Sequence, residues 1–365
     1  MRFVFALIAL LLAVPAGAAT HLDRLTLPPG FHIALYSDQV PNARELALGT
    51  NGTVFAGSRD AGKVYALTDR DGDGRADQVR VVASGLKLPV GVAFHHGNLY
   101  VSAVSRIYVL RDIEQHLDDP PQPQLVTDKL PDDLHHGWKF IAFGPDGKLY
   151  VPEGAPCNIC LPDKQHAKLM RMDADGSHWQ DVAYGIRNTV GFDWQPGTHT
   201  LYFTDNGRDM MGDDVPSDEL NRVDHRGQHF GYPFCHQGDV PDPEYGKGHP
   251  CSRYTPPVLK LGAHVAALGM RFYTGTMFPA AYRGAILIAE HGSWNRSTKS
   301  GYRVMAVHMH GRKVGAYTPL VTGFEQHESA WGRPADVLVL KDGSVLVSDD
   351  LAGAIYRITY RSPDA

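Results

Sequence analysis

The chain is 365 residues long, 43% hydrophobic and 21% charged, and its 35 Lys and Arg against 40 Asp and Glu leave a net charge of −5. Acids and bases are interspersed, with no basic stripe, which argues against nucleic acid as a partner. The length would suit two domains, although one repeat-built β domain can absorb it, and aromatic and branched residues suffice for a large core.

At the N-terminus, Arg2 supplies a positive charge, Phe3 to Val14 an apolar stretch of signal-peptide length, and Ala16-Gly17-Ala18 a small-residue cleavage site. Residues 1–18 are therefore expected to be a cleaved signal peptide. The apolar stretch is short for a membrane span, so an uncleaved anchor is the lesser reading. Residues 19–365 are then a secreted or periplasmic chain with no membrane insertion after cleavage, since no second long apolar run follows.

From there one pattern recurs: an apolar strand, a turn containing Gly, a second apolar strand, then a third. Copies begin at Glu45, Gly91, Phe140, Gly191, Gly269 and Ala335, and Asn51-Gly52, Asp146-Gly147 and Asp342-Gly343 supply the turns that tight hairpins need. Third strands follow at Lys63, Arg106, Lys168, Glu219, Tyr302 and Ala354. Six copies with a four-strand period, about 45 to 50 residues apart early in the chain, predict an all-β fold: a six-bladed β-propeller of four-stranded antiparallel blades, with few helices. A β-sandwich would not repeat in this way. The extra length between Asp209 and Leu268 is expected as loops on one face.

Two features interrupt the repeat. Asp69, Asp71, Asp73 and Asp77 alternate with Gly72 and Gly74 in the manner of a calcium loop, but the distal Glu of a full EF-hand is missing; a structural Ca²⁺ there competes with a solvated hairpin. The four cysteines, Cys157, Cys160, Cys235 and Cys251, allow three pairings behind a signal peptide. Two local bridges, Cys157–Cys160 and Cys235–Cys251, are expected, against a redox or zinc reading of the first pair.

A propeller gathers loop residues at the mouth of its central channel. His135-His136-Gly137-Trp138 precede the third copy and Arg187-Asn188 the fourth. Asp205-Asn206-Gly207-Arg208 follow the fourth hairpin, Glu290 to Arg296 follow the fifth, and Trp331-Gly332-Arg333 precede the sixth. Together they offer a base (His136), cations (Arg187, Arg208, Arg296, Arg333), amides (Asn188, Asn206, Asn295) and a stacking surface (Trp294 or Trp331). Such a mouth suits an anionic, planar ligand. Taken singly, each residue is equally at home as a blade-edge or packing group; their recurrence at equivalent positions is the signal.

These residues carry a resemblance. With Leu27-Pro-Pro-Gly-Phe31, Phe143-Gly-Pro-Asp-Gly-Lys-Leu-Tyr150 and Phe230-Gly-Tyr-Pro233, the chain resembles the pyrroloquinoline quinone (PQQ)-dependent sugar dehydrogenases, in particular their sorbosone/pyranose dehydrogenase branch, over nearly its whole length. The resemblance implies PQQ lying over the channel mouth and a Ca²⁺ held by the backbone carbonyls of Gly207 and Arg208. It implies His136 as general base, Arg187 stabilising the developing oxyanion, and hydride transfer to the quinone C5. Asn188 and Arg333 would hold the cofactor, with Asn206, Arg208 and Trp294 around it. The family's cofactor-binding Lys has no counterpart, and His291, Asn295 or Arg296 would substitute. An aldose or sugar aldehyde would be oxidised at C1, with electrons passing to a soluble or membrane acceptor. Two other classes remain on the same fold: a calcium-dependent lactonase or esterase, for which Glu290, Asp205 and Asn206 are suitable ligands, and a non-catalytic binding propeller.

Overall fold

The structure, a computed structural model, describes residues 20–363; the expected signal peptide lies outside the described residues. The six copies each become the inner hairpin of one blade. Blade 1 is Ala43–Leu48, Val54–Ser58, Lys63–Thr68 and Gln78–Ser84; blade 2 is Val92–His95, Asn98–Ala103, Arg106–Leu110 and Gln124–Thr127. Blade 3 is Ala142–Phe143, Leu149–Glu153, Lys168–Met172 and Gln180–Tyr184; blade 4 is Phe192–Trp194, Leu201–Asp205, Ser217–Val223 and Leu259–Ala263. Blade 5 is Ala267–Phe272, Ile286–Glu290, Arg303–His310 and Lys313–Val321. Blade 6 takes Pro334–Val339, Val345–Asp349 and Ala354–Tyr360 from the end of the chain and Phe31–Ser37 from its beginning, paired antiparallel from Phe31↔Tyr360 to Ser37↔Ile355. Among the described residues the helices are four single 3₁₀ turns, and none is long and apolar enough to cross a membrane.

The repeat was visible because the second strand of a blade is covered on both faces by neighbouring blades. Val54–Ser58 and Ile286–Glu290 are buried at every position, so they read as continuous apolar runs rather than alternating ones. Phe55, Val64, Val92, Leu99 and Val101 pack blade 1 on blade 2; Leu46, Val54, Tyr65, Leu346 and Ile355 pack blade 6 on blade 1. The hairpin turns are alike. The N–H groups of Gly52, Gly147 and Gly343 donate to the carbonyls of Gly49, Gly144 and Leu340, and all three glycines have positive φ, which side-chain-bearing residues adopt only with strain.

Inner strands of adjacent blades do not pair through their backbones; side-chain carboxylates bridge them instead. Asp336 accepts the N–H of Leu46 at 2.8 Å, Glu45 those of Val92 and Ile141 at 3.1 and 3.0 Å, and Asp193 that of Phe272 at 2.8 Å. Blade 3 departs from the four-strand expectation. The chain leaves blade 4 after Val223, adds Gln228–His229 as a parallel fifth strand on Gln180–Tyr184, forms a two-stranded ribbon (Cys235–His236 with Val240–Pro241), and only then returns as Leu259–Ala263.

Candidate active site

At one mouth of the channel lies a cavity of about 350 Å³ lined by residues from the blade ends. Of the residues expected there, it brings together His136, Arg187, Asn188, Asn206, Gly207, His291, Trp294, Asn295 and Arg333.

His136 is buried and has a positive φ of 54°, a backbone state that non-glycine residues seldom hold unless their surroundings impose it. Gly154 makes room: a Cβ there would lie 2.5 Å from the His136 Cβ. Nδ1 of His136 lies 2.8 Å from the Ala155 carbonyl, which can only accept. The proton therefore sits on Nδ1 and the Nε2 lone pair is left as the base. Burial, then the charge of Arg187, pulls this histidine well below its ordinary pKa, so it stands neutral.

Arg187 is anchored by the loop that the Cys157–Cys160 disulfide closes. Its Nε donates to the Asn158 carbonyl (2.9 Å), Nη1 to the Asn206 carbonyl (3.2 Å), and Nη2 to Asn158 Oδ1 and Asp209 Oδ2 (2.8 and 2.9 Å). The N–H groups of Arg187 and Asn188 both end on the buried carboxylate of Asp205, at 3.0 and 2.7 Å. Burial raises the pKa of Asp205 and of Glu219, and the charge of Asp205 adds to the rise at Glu219. Asp218 lines the cavity beside Gly207, whose N–H it accepts at 2.8 Å; burial pushes its carboxyl up to about 6.

The opposite wall is a chain of charges. His291 Nε2 lies 2.7 Å from Asp350, and Asp350 pairs with Arg44 at 2.9 Å. Burial pulls His291 down to about 4. The imidazole is thus neutral and donates to an ionised Asp350, which Arg44 and that donor together hold below the carboxylate range against the effect of burial. Arg333 donates to the carbonyls of His291 and Gly292 at 3.0 and 2.5 Å. Trp294 stands at the rim, 67% exposed, and Asn295 holds both side-chain polar atoms buried without a partner.

Other expected residues lie elsewhere. Arg208 turns its side chain away from the cavity, to Asp242 (2.5 Å) and Glu244 (3.1 Å). Arg296 holds Asp214 at 3.0 Å and the Asp213 carbonyl at 2.9 Å. Trp331 packs on Phe324 and Tyr356 in the core of blade 6. Of the Asp-rich loop, Asp69, Asp71 and Asp77 bring carboxylate oxygens within 4.8 Å of one another. Asp73 stands apart and accepts the Arg75 N–H, and the Asp69 oxygens accept those of Gly72 and Gly74. Both disulfides form as expected, Cys157–Cys160 and Cys235–Cys251.

Sequence reasoning passed over Arg44, Arg59 and His264, which also line the cavity, and gave no role to Trp138. For Arg44 the signal was available, since it precedes the first copy as Arg333 precedes the sixth; Arg59, a single Arg at a strand end, carried none.

The family described as "Domain of unknown function (DUF7133)" matches residues 22–357. A protein of Borreliella burgdorferi described as uncharacterized is 30% identical over 97% of this chain and 95% of its own. A pyrroloquinoline quinone-dependent pyranose dehydrogenase of Coprinopsis cinerea is 23% identical over 94% of this chain, which spans only 55% of that protein. Among solved structures, the holo PQQ domain of a Coprinopsis cinerea pyranose dehydrogenase superposes with a TM-score of 0.80 at 19% identity, covering 92% of this chain and 97% of that one. The calcium structure of a Trichoderma reesei carbohydrate-active enzyme of family AA12 gives 0.82 at 20%, covering 92% and 97%. At these identities the structural likeness establishes the six-bladed fold.

Proposed function

The chain belongs to the DUF7133 family, and from that premise we propose that it is a PQQ-dependent oxidoreductase acting on sugars. The observation that carries the reading is a neutral, tautomer-locked histidine facing a cavity whose other wall is cationic, in a fold shared with a PQQ-holding domain.

The residues present fit the cofactor. PQQ is a planar tricarboxylate, and the cavity offers Arg44, Arg333 and Asn188, an Asn295 amide whose buried polar atoms lack any partner, and the Trp294 ring. Its volume of about 350 Å³ is in the usual range for a small-ligand site. Ca²⁺, a hard cation that takes oxygen ligands, would be held by the backbone carbonyls of Gly207 and Arg208; the outward turn of the Arg208 side chain leaves that assignment untouched. Asp218 and Asp209 would add negative charge beside it.

When bound, PQQ supplies a two-electron acceptor, and the protein supplies orientation and proton transfer. His136 Nε2 takes the proton of the sugar hydroxyl, because Nδ1 is committed to Ala155 and the neutral form is favoured. Arg187, held by Asn158, Asn206 and Asp209, keeps a positive charge beside the oxygen that loses that proton. The lactonase reading needs Glu290 as a metal ligand, and Glu290 is instead paired with Arg303 at 2.6 Å and hydrogen-bonded by Tyr317.

Reconstitution with PQQ and Ca²⁺, followed by dye reduction across aldoses and sugar aldehydes, tests the proposal. Saturable, calcium-dependent reduction is expected; absence of cofactor binding together with calcium-dependent lactone hydrolysis would replace it with the lactonase.

A further inference from the structure

We propose that the substrate is an acidic sugar, a hexuronic acid, whose carboxylate pairs with Arg59; the proposal rests on the sugar-oxidation reading above and names its substrate class. Arg59 follows the second strand of blade 1, lines the cavity, and lays its guanidinium 4.8 Å from the centre of the Trp138 ring. Trp138 is two residues beyond the base His136. The stacking fixes the direction of the cation without using its N–H donors.

Charge accounting separates Arg59 from its neighbours. Arg44 is neutralised by Asp350 and Arg187 by Asp209; Arg333 has no ion pair among the described residues, but two backbone carbonyls at the blade 5 wall fix its direction. Arg59 has only one loose ion pair among the described residues. Its Nε is buried without a hydrogen bond, and the one carboxylate in range is the adjacent Asp60, 3.8 Å away, beyond hydrogen-bonding distance and 70% exposed to water. The side chain is itself 41% exposed, so solvent tolerates the loosely paired charge while the cavity stands open. A ligand that closes the cavity and brings no anion would remove that solvent and leave the cation with only that loose pair, which disfavours binding.

Position then decides which ligand answers it. Arg44 and Arg333 are tied into the His291–Asp350 wall of blades 5, 6 and 1. Arg59 belongs to the same blade 1 hairpin as Arg44, but its guanidinium turns to Trp138, two residues from His136. A carboxylate that meets Arg59 therefore belongs to the molecule whose hydroxyl proton goes to His136, which is the substrate. A neutral aldose leaves Arg59 unmatched; a uronate offers a bidentate, charge-assisted pair.

The test compares D-glucuronate and D-galacturonate with glucose and galactose in the PQQ- and Ca²⁺-loaded protein. Calorimetric binding of glucuronate to the cofactor-free protein at low and high salt runs beside it. The uronates are expected to exceed the neutral sugars in kcat/KM by about tenfold or more, the scale of a charge-assisted hydrogen bond. The ratio should fall to near one in Arg59→Gln and recover partly in Arg59→Lys, and glucuronate binding should weaken with salt and vanish in Arg59→Gln. An unchanged ratio with weakened PQQ uptake in Arg59→Gln would overturn the proposal and make Arg59 a cofactor contact; neutral sugars preferred by the wild type would overturn it as well. Should no sugar reduce the dye while glucuronate still binds through Arg59, the oxidation reading falls and the carboxylate subsite stands.

Discussion

His136 is the residue on which the proposed chemistry turns, and two measurements separate its role from mere packing. Replacing it with Ala removes the acceptor for the substrate proton while leaving the cationic wall of the cavity in place. Turnover is expected to fall about 10²- to 10⁴-fold, as for loss of a general base, with PQQ still taken up. The wild-type pH profile carries the second test. Burial and Arg187 lower the folded-state pKa of His136, so the neutral, competent form persists below the ordinary value of about 6.5, and the acid limb of kcat/KM should lie below it. The same shift costs stability as pH falls through 6.5, because only the unfolded chain then takes up the proton. An acid limb above 6.5, or near-full turnover in His136→Ala, would remove the residue from the mechanism. His136, Arg187, Asn188 and Arg333 were legible because they sit beside copies of a repeat, where position alone implies the channel mouth. Arg208 was misplaced for a physical reason: its partners Asp242 and Glu244 lie in the segment after blade 4 that has no repeat. No local pattern announces an ion pair across that distance. Arg59 went unremarked because a single Arg at a strand end is ordinary until Trp138 is seen beneath it.

Among the elements, the excursion between Val223 and Leu259 is the one that departs from the blade pattern. Its fifth strand on blade 3 is a parallel pair of two residues, Ala183↔Gln228 and Tyr184↔His229, too short for hydrophobic periodicity to reveal. Its conformation rests on specific ties: Cys235–Cys251, the buried Arg208–Asp242 pair, and His236 Nε2 at 2.9 Å from Asp242. A bridge across 16 residues contributes about 3 kcal/mol by restricting the unfolded chain. Replacing both Cys235 and Cys251 with Ala should lower stability by roughly 2–3 kcal/mol. Amide exchange should accelerate across residues 228–242 while the inner strands of blades 1 and 2 stay protected. If exchange in the excursion does not change, the ribbon and its ion pairs hold it without the bridge. If blades 1 and 2 lose protection equally, the excursion is part of the global folding unit rather than a separately opening loop.

At the scale of the whole molecule the fold closes on itself through the N-terminal strand. Each blade contacts its two neighbours, so six copies in sequence would leave the first and last with uncovered faces. In the ring those two faces cover each other, Leu46 and Val54 of blade 1 packing on Leu346 and Ile355 of blade 6, and Phe31–Ser37 completes blade 6 as its outermost strand, tying the two ends of the described chain together. Phe31 is the anchor: its ring meets those of Phe278, Tyr282 and Tyr360 at 4.8, 5.1 and 5.0 Å, joining blade 6 to blade 5. A truncated buried Phe costs about 3–5 kcal/mol, and closure determines how that loss is felt. In an open array of blades, Phe31→Ala would loosen one end and leave the remainder intact, as in a solenoid whose terminal repeat frays. In a closed ring, losing the clasp exposes the flanks of blades 5, 6 and 1 together, and the cavity loses the frame that sets Arg44, His291 and Arg333 against one another. Phe31→Ala should therefore lower the unfolding midpoint while keeping a single transition, with PQQ uptake falling before the blades themselves unfold. Two resolved transitions, the first confined to blade 6, would show instead that the ring behaves as a chain of semi-independent sheets and that the site is held by local contacts.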